Sequence, residues 1–204
     1  MDDHPIISDI PLLDLTPAVR SALGQLLDEN ALLRASNAEL REQCDELARV
    51  ADTDALTPLP NRRRFLRELE RVVGQANRHG TPAALLQIDV KQLRAINARH
   101  GRLAGDAALI HVARLLEGLI RATDMAARLD GDEFVLLLDH LDHNSAIETA
   151  DRIAAHIARN PVDLGGQSVK LSADIGIATI LAGDSGEDVL RRAQSNVMRA
   201  KADA

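Results

Sequence analysis

The chain has 204 residues, of which 46% are hydrophobic, 27% are charged and 1% are aromatic, so we expect one globular domain with an appendage and a core of aliphatic side chains. A formal net charge of −7 excludes a general electrostatic attraction to nucleic acid or anionic lipid, because both need a basic surface. No apolar run approaches the ~18–20 residues that span a bilayer, and the acidic N-terminal segment lacks the basic start of a secretory signal. We therefore expect a cytoplasmic protein with no nucleic-acid and no membrane partner.

The first 51 residues predict an arm followed by a coiled coil. Residues 1–18 carry Pro5, Pro11 and Pro17 among isolated apolar residues, a pattern typical of an extended arm. Residues 19–51 show seam residues at alternating spacings of 3 and 4, which is the heptad pattern of a coiled coil. One seam position holds Leu23, Asn30, Asn37, Cys44 and Ala51, and the other holds Val19, Leu26, Leu33, Leu40 and Leu47.

Two seam asparagines favour a parallel homodimer. A buried Asn in a two-stranded coil pairs with its symmetry mate, which fixes register and oligomer number and lowers stability. The alternative is a single amphipathic helix lying on its own domain, although the apolar stripe of such a helix is usually wider than a two-position seam. The predicted dimerisation residues are Leu26, Asn30, Leu33, Asn37, Leu40 and Leu47.

Residues 52–204 predict one domain of mixed helices and strands. Helical patterns run over residues 61–79, 105–121, 144–159 and 187–201, and apolar strand patterns run over residues 83–89, 125–129, 133–138 and 169–180. The residues Asp130, Gly131 and Asp132 separate the second and third strand patterns. They predict a hairpin, because Asp and Gly tolerate positive φ.

Acidic residues stand at the predicted strand ends. Asp89 ends an apolar strand, and Asp132 and Glu133 follow at the tip of the hairpin. Carboxylate oxygens together with waters and substrate phosphates form magnesium sites, which suit phosphoryl transfer. The alternative is that these carboxylates are solvated turn formers.

The chain resembles the GGDEF (diguanylate cyclase) family from about Asp54 to Lys201. The segment Asp54-Ala55-Leu56-Thr57-Pro58-Leu59-Pro60-Asn61-Arg62-Arg63 resembles the opening of these domains, and Asp130-Gly131-Asp132-Glu133-Phe134 resembles the signature itself. Between the two segments, the family's spacing is matched by Asp89, Asn97, Gly101, Gly105 and Asp106.

The resemblance implies a fold and a reaction. It implies an α/β (α+β), palm-like nucleotidyl-cyclase domain whose central, mostly antiparallel sheet is flanked by helices and preceded by the N-terminal coiled-coil helix. Two such domains, each holding one GTP, would form cyclic di-GMP by attack of one 3′-hydroxyl on the other α-phosphate. The implied site residues are Asp89, the Val90 backbone and Asp132 for Mg²⁺ or Mn²⁺; Glu133 as a ligand or base; Asn97 and Asp106 for guanine; and Arg94, Gly131 and Lys201 for the rest of the substrate.

A second motif lies upstream of the signature. Arg121 and Asp124 match the RxxD pattern at which many family members bind product and are inhibited. An Arg fork can hold a phosphate or the guanine Hoogsteen edge, and a carboxylate can accept from guanine nitrogen. A solvated pair or a helix cap is the alternative interpretation of the two residues.

Three of the departures from the family pattern change a charge. Asp130 replaces the first signature glycine, which we expect to weaken phosphate binding through its side chain and its charge. Lys91 replaces an aspartate and Asp174 replaces a serine. Since Lys91 shares a strand face with Asp89, an exchange of charge between Lys91 and Asp130 is one explanation of these replacements.

Three functions compete at this point. The leading hypothesis is a diguanylate cyclase with product feedback. The alternative is a catalytically impaired module that binds GTP or cyclic di-GMP and signals through a protein partner, and Asp130 favours it. The third is a structural dimer scaffold, which predicts no nucleotide binding.

Overall fold

The computed structural model describes residues 16–202, apart from the side chains of residues 45–50. Contacts divide the chain into two compact units, one up to Ala51 and one from Asp52 onward. Most of the predicted arm of residues 1–18 therefore lies outside the described residues. The boundary between the units falls where the heptad pattern ends in the sequence.

The described part of the first unit is helix α1, Pro17–Asp52, which is 36 residues long and whose last residue begins the second unit. It begins two residues before the predicted start because Pro17 suits the first helical turn and the Thr16 hydroxyl accepts from the Val19 amide. The seam leucines whose side chains are described are solvent-exposed in the single chain: Leu26 61%, Leu33 60% and Leu40 56%. The side chain of Leu47 lies outside the described set.

The second unit is built on a four-stranded sheet in the order β2-β3-β1-β6, and every neighbouring pair is antiparallel. Its strands are β1 (Ala83–Val90), β2 (Met125–Asp130), β3 (Glu133–Asp139) and β6 (Ala173–Ile180). This arrangement confirms the predicted mostly antiparallel central sheet. A separate small hairpin pairs β4 (Val162–Asp163) with β5 (Ser168–Val169).

Helices cover both faces of the sheet. They are α2 (Arg62–His79), α3 (Leu93–His100), α4 (Arg102–Glu117), α5 (His143–Arg159) and α6 (Gly186–Ala202). The first and last of these pack on one face, where Phe65 is buried, and the other three pack on the opposite face, where Phe134 is buried. These two phenylalanines are the only aromatic residues of the chain, and aliphatic side chains form the rest of both layers.

The structure corrects three predicted elements. The helix predicted over residues 105–121 begins at Arg102 and ends at Glu117, since Gly118 caps it and a turn follows. Helix α3 was not predicted, because its eight residues, which end at the cap Gly101 with φ of 84°, are too few to show a clear apolar period. The strand predicted over residues 169–180 is divided, because β5 pairs with β4 and only β6 joins the sheet. None of the helices within residues 16–202 has the length and apolarity needed to cross a bilayer.

Candidate active site at the strand tips

The candidate site lies where β1 ends beside β3 and β6. In the strand register Asp89 is the direct partner of Glu133 on one side and of Asp174 on the other. The amide of Val90 donates to the carbonyl of Asp132 at 3.1 Å, which ties the hairpin tip to this strand end. An open cavity of about 500 Å³ is lined by Asp89, Val90, Lys91, Gln92, Leu93, Arg94, Asp132, Asp174 and Lys201.

Lys201 reaches this cavity from the last helix. Gly176 on β6 makes that possible, since a Cβ atom there would overlap the Ala193 carbonyl and the Val197 amide of α6. The close packing of α6 on β6 brings the Lys201 Nζ to 2.6 Å from Asp89 Oδ2. The hydrogen bond to Asp89 is the main reason that the pKa of Lys201 lies above its usual value.

The carboxylates of the site are crowded. Burial raises the pKa of Glu133, and the neighbouring charges of Asp89 and Asp132 raise it further. Among the residues that the structure describes, no three His, Cys, Asp or Glu side chains form a metal cluster. Magnesium is commonly held by one or two carboxylates plus substrate phosphates and waters, so Asp89, Asp132 and the Val90 carbonyl are a donor set that fits this ion.

The predicted guanine-reading residues lie at the corner between α3 and α4. The side chain of Asn97 lies over Gly105, because a Cβ atom at 105 would overlap its amide oxygen. Asp106 follows directly and is half-buried, while Asn97 is exposed. The two polar side chains therefore stand at one corner outside the lining of the strand-tip cavity.

The signature hairpin joins β2 to β3. Gly131 has φ of 46°. Within residues 16–202 the only residues other than glycine with positive φ are Gln92 and His140, so Asp130 is not among them. Asp130 therefore needs no glycine-like backbone, and its carboxylate accepts from the Gly131 amide at 2.8 Å. The replacement of glycine by Asp130 therefore causes no backbone strain, and its side chain and charge are the changes that the site must accommodate.

Arg128 links the two family segments and was not singled out from the sequence. Its guanidinium donates to the Gly131 carbonyl at 2.7 Å and to Asp54 Oδ1 at 3.0 Å. Although burial raises the pKa of Asp54, hydrogen bonds from Thr57 and Arg128 hold it below its usual value. The signal in the sequence was a lone arginine inside the apolar run before the hairpin.

Lys91 pairs with Asp174 and not with Asp130. Its Nζ lies 2.6 Å from Asp174 Oδ1, and the side chain of Asp174 is only 8% exposed. The reason is the sheet order, which puts β6 beside β1 and brings Asp174 next to the strand end. The partner of Lys91 is thus Asp174, in place of the Asp130 suggested by the sequence.

The RxxD residues line a separate small cavity of about 40 Å³. The carboxylate of Asp124 accepts from the Arg121 amide at 3.0 Å and from the Asp139 amide at 3.3 Å, so it also stabilises the turn before β2. Arg152 of α5 lines the same cavity. Sequence reasoning missed Arg152, because only the fold brings α5 beside this turn.

The sheet, its flanking helices and the carboxylates at the strand tips define a palm-like α+β domain of the nucleotidyl-cyclase type. The chain belongs to the GGDEF family: the family model described as "Diguanylate cyclase, GGDEF domain" matches residues 51–204. A curated relative, diguanylate cyclase TpbB from Pseudomonas aeruginosa, is 40% identical over 163 residues, which cover 78% of this chain and 37% of TpbB. The chain thus spans little more than a third of that relative.

Two solved structures show the same fold. The coiled coil and GGDEF domain of DgcB from Caulobacter crescentus, in complex with c-di-GMP, is 25% identical with a TM-score of 0.78, and the match covers 90% of this chain and 96% of that one. Diguanylate cyclase SiaD from Pseudomonas aeruginosa, in complex with its activator SiaC, is 26% identical with a TM-score of 0.73, and the match covers 92% and 73%.

Proposed function

We propose that this protein is a diguanylate cyclase that condenses two GTP molecules into cyclic di-GMP and releases two pyrophosphates. The observation that carries the proposal is the cavity at the strand tips, which joins Asp89 and Asp132 with the cations Arg94 and Lys201. In each half-reaction the 3′-oxygen of one GTP bonds to the α-phosphorus of the other, and the bond from that phosphorus to the pyrophosphate breaks. Family membership supports the same reaction class.

The residues of the cavity and of the adjoining hairpin have separate tasks in this reaction. Asp89, Asp132 and the Val90 carbonyl would hold Mg²⁺ or Mn²⁺, which neutralises charge on the phosphates when bound. Glu133, with its raised pKa, keeps an affinity for protons that suits it to accept one or to complete the ligand set. Arg94 and Lys201 bind phosphate oxygens, and Gly131 allows the hairpin backbone to approach the nucleotide.

Guanine is recognised at the α3–α4 corner in this proposal. The Asn97 amide and the Asp106 carboxylate offer donor and acceptor groups that suit the guanine edge. A nucleotide that lacks the matching groups would leave them unpaired, and such sites reject the wrong base strongly. The proposed substrate is therefore GTP and not ATP, and a cytoplasmic location stays a prediction.

A parallel homodimer through α1 would bring two half-sites together. The exposure of Leu26, Leu33 and Leu40 supports it, because an apolar seam of this kind is stable when a partner helix covers it. A short connection between coil and domain raises the effective concentration of the second domain to roughly millimolar. The match to DgcB extends over a coiled coil as well as its domain.

Product feedback at the small cavity is part of the proposal. Arg121, Asp124 and Arg152 line it, and they carry two guanidinium groups and a carboxylate. Cyclic di-GMP carries two phosphates and two guanine edges, both of which match these groups. Binding at this cavity would slow the enzyme when product accumulates.

A second candidate function is favoured by Asp130. Its negative charge stands at the signature hairpin, and a weakened substrate site would leave a module that senses cyclic di-GMP and contacts a signalling protein. The complex of SiaD with its activator SiaC is an example of a family member with a protein partner.

Incubation of the purified chain with magnesium and GTP, followed by chromatography of the nucleotides, separates the candidates. Formation of cyclic di-GMP supports the cyclase. Unchanged GTP together with calorimetric binding of cyclic di-GMP would support the sensor module. An absence of both turnover and nucleotide binding would support the structural dimer scaffold.

A further inference from the structure

Three carboxyl groups stand side by side at the end of the central sheet. Asp89 on β1 pairs directly with Glu133 on β3 and with Asp174 on β6. Directly paired residues project from the same face of an antiparallel sheet, and like charges in such positions repel. A row of three acidic side chains therefore needs cations beside it.

Lysines supply two of these cations. The chain has 24 Lys and Arg residues, of which only Lys91, Lys170 and Lys201 are lysines. Two of the three meet this row: Lys201 Nζ is 2.6 Å from Asp89 Oδ2, and Lys91 Nζ is 2.6 Å from Asp174 Oδ1. Apart from Lys170 the other basic side chains are arginines, so a compact ammonium group occupies both positions that contact the acidic row.

Asp174 is the buried member of its pair. Its side chain is 8% exposed, and that of Lys91 is 34% exposed. Its second oxygen, Oδ2, is buried and has no hydrogen-bond partner in the described part of the chain. A buried carboxylate is unfavourable unless it is paired, so Asp174 depends on Lys91.

The pair faces the same cavity as the metal-site carboxylates, since Lys91, Asp174, Asp89 and Asp132 all line it. A nucleoside triphosphate brings several negative charges into a space that already holds these carboxylates. Additional cations at fixed positions would offset that repulsion. Lys91 is held at one such position by Asp174, which is part of strand β6.

We propose that Lys91 is a ligand for the phosphates of the bound nucleoside triphosphate and that Asp174 is its positioning residue. This assignment rests on the nucleotide site proposed above. The pair replaces two residue types found in the family pattern, so the sequence changes at 91 and 174 belong together. Each is explained by the other, because the ammonium needs an anchor and the buried carboxylate needs a cation.

Calorimetry with magnesium and 3′-deoxy-GTP tests the assignment on the full chain, because this nucleotide lacks the attacking hydroxyl and is not condensed. We expect Lys91→Met to weaken its binding about tenfold or more, the scale of a lost charge-assisted hydrogen bond. Lys91→Arg should restore most of the affinity. Lys170→Met, which removes the third and exposed lysine, is the matched control and should bind as the parent does.

Asp174→Asn separates positioning from structural support. If Asp174 positions Lys91, Asp174→Asn should lower the affinity for 3′-deoxy-GTP. The double variant K91M/D174N should then lose no more affinity than K91M alone. This double variant also removes the uncompensated charge, so the test holds if K91M folds poorly. Parental affinity in a folded K91M/D174N would overturn the assignment and leave the proposed function standing. A parent that does not bind 3′-deoxy-GTP would overturn the nucleotide site and the assignment with it.

Discussion

At the scale of single residues, the metal-site proposal depends on two carboxylates at the strand tips. Asp89→Ala and Asp132→Ala should each lower metal-dependent formation of cyclic di-GMP by about 100-fold or more, the scale of losing one electrostatic group in a site. Because both residues are at the edge of the cavity, the fold and the oligomeric state should persist. Initial rates and light scattering check this, with Asp151→Ala on the exposed side of α5 as control. Parental rates in either variant would refute the metal site.

Glu133 gives a pH-dependent prediction. Its pKa is raised above the usual 4.5 by burial and then by Asp89 and Asp132, so the folded state holds this proton more tightly than the unfolded state does. Stability is then lost as pH rises from about 4.5 through the folded-state pKa. We expect Glu133→Gln to stabilise the protein at pH 7 without metal, by at most about 1 kcal/mol because solvent screens the charges. The gain should vanish near pH 4 in thermal unfolding, and an equal gain at both pH values would contradict the electrostatic cause.

Gly105 gives a prediction about base selection. Alanine there would overlap the amide of Asn97, which can swing away at little cost in stability. Gly105→Ala should therefore leave the Tm nearly unchanged and reduce the preference for GTP over ATP by about tenfold or more, since an unpaired polar group costs ~1–3 kcal/mol. Gly74→Ala in α2, where a Cβ meets ordinary contacts, is the control. Unchanged selectivity in Gly105→Ala would show that the close contact between Gly105 and Asn97 has no role in base selection.

At the scale of elements, Arg128 ties the segment before α2 to the signature hairpin. Arg128 on β2 bonds to the hairpin carbonyl of Gly131 and to Asp54 in the segment before α2. Asp52, the first residue of the second unit, is held by Arg63 and Arg67 of α2. These side-chain bonds add to backbone hydrogen bonds, in which the Arg128 amide donates to the Pro60 carbonyl and the Val90 amide donates to the Asp132 carbonyl, so the hairpin is held at the end of β1.

Helix α1 gives a prediction at this scale. If the coil is a parallel dimer, Asn30 and Asn37 are buried in its seam, although they are exposed in the single chain. Replacing both with Leu should raise the Tm and loosen the choice of oligomer, because buried Asn lowers stability and fixes oligomer number. Analytical ultracentrifugation measures the species present. A lower Tm, or a strictly dimeric variant, would count against the paired seam.

At the scale of the whole molecule, catalysis between two GTP molecules requires two domains. A chain without residues 1–50 should keep its fold, because the unit from Asp52 onward has its own core. It should be largely monomeric, and its activity per subunit should rise with protein concentration as encounters become frequent. Scattering and initial rates at submicromolar protein test this. If the truncated chain is dimeric and fully active at submicromolar concentration, the domain itself must dimerise.

The sequence by itself determined the family, the helix α1 and most elements of the domain, because these depend on local periodicity and on motifs at fixed spacing. It also named Asp89, Asp132 and Asp130 through strand and hairpin chemistry. It missed α3, which is only eight residues long, and it placed the start of α4 three residues too late.

Only the tertiary structure decided which distant residues meet. The order β2-β3-β1-β6 brings Asp174 beside Asp89, although the two are far apart in sequence, and so gives Lys91 its partner. The packing of α6 on β6 at Gly176 brings Lys201 to the same strand end, and the position of α5 brings Arg152 to the RxxD turn. The physical reason is that local propensities set each element, whereas long-range pairing and helix packing set the distances between side chains on different elements.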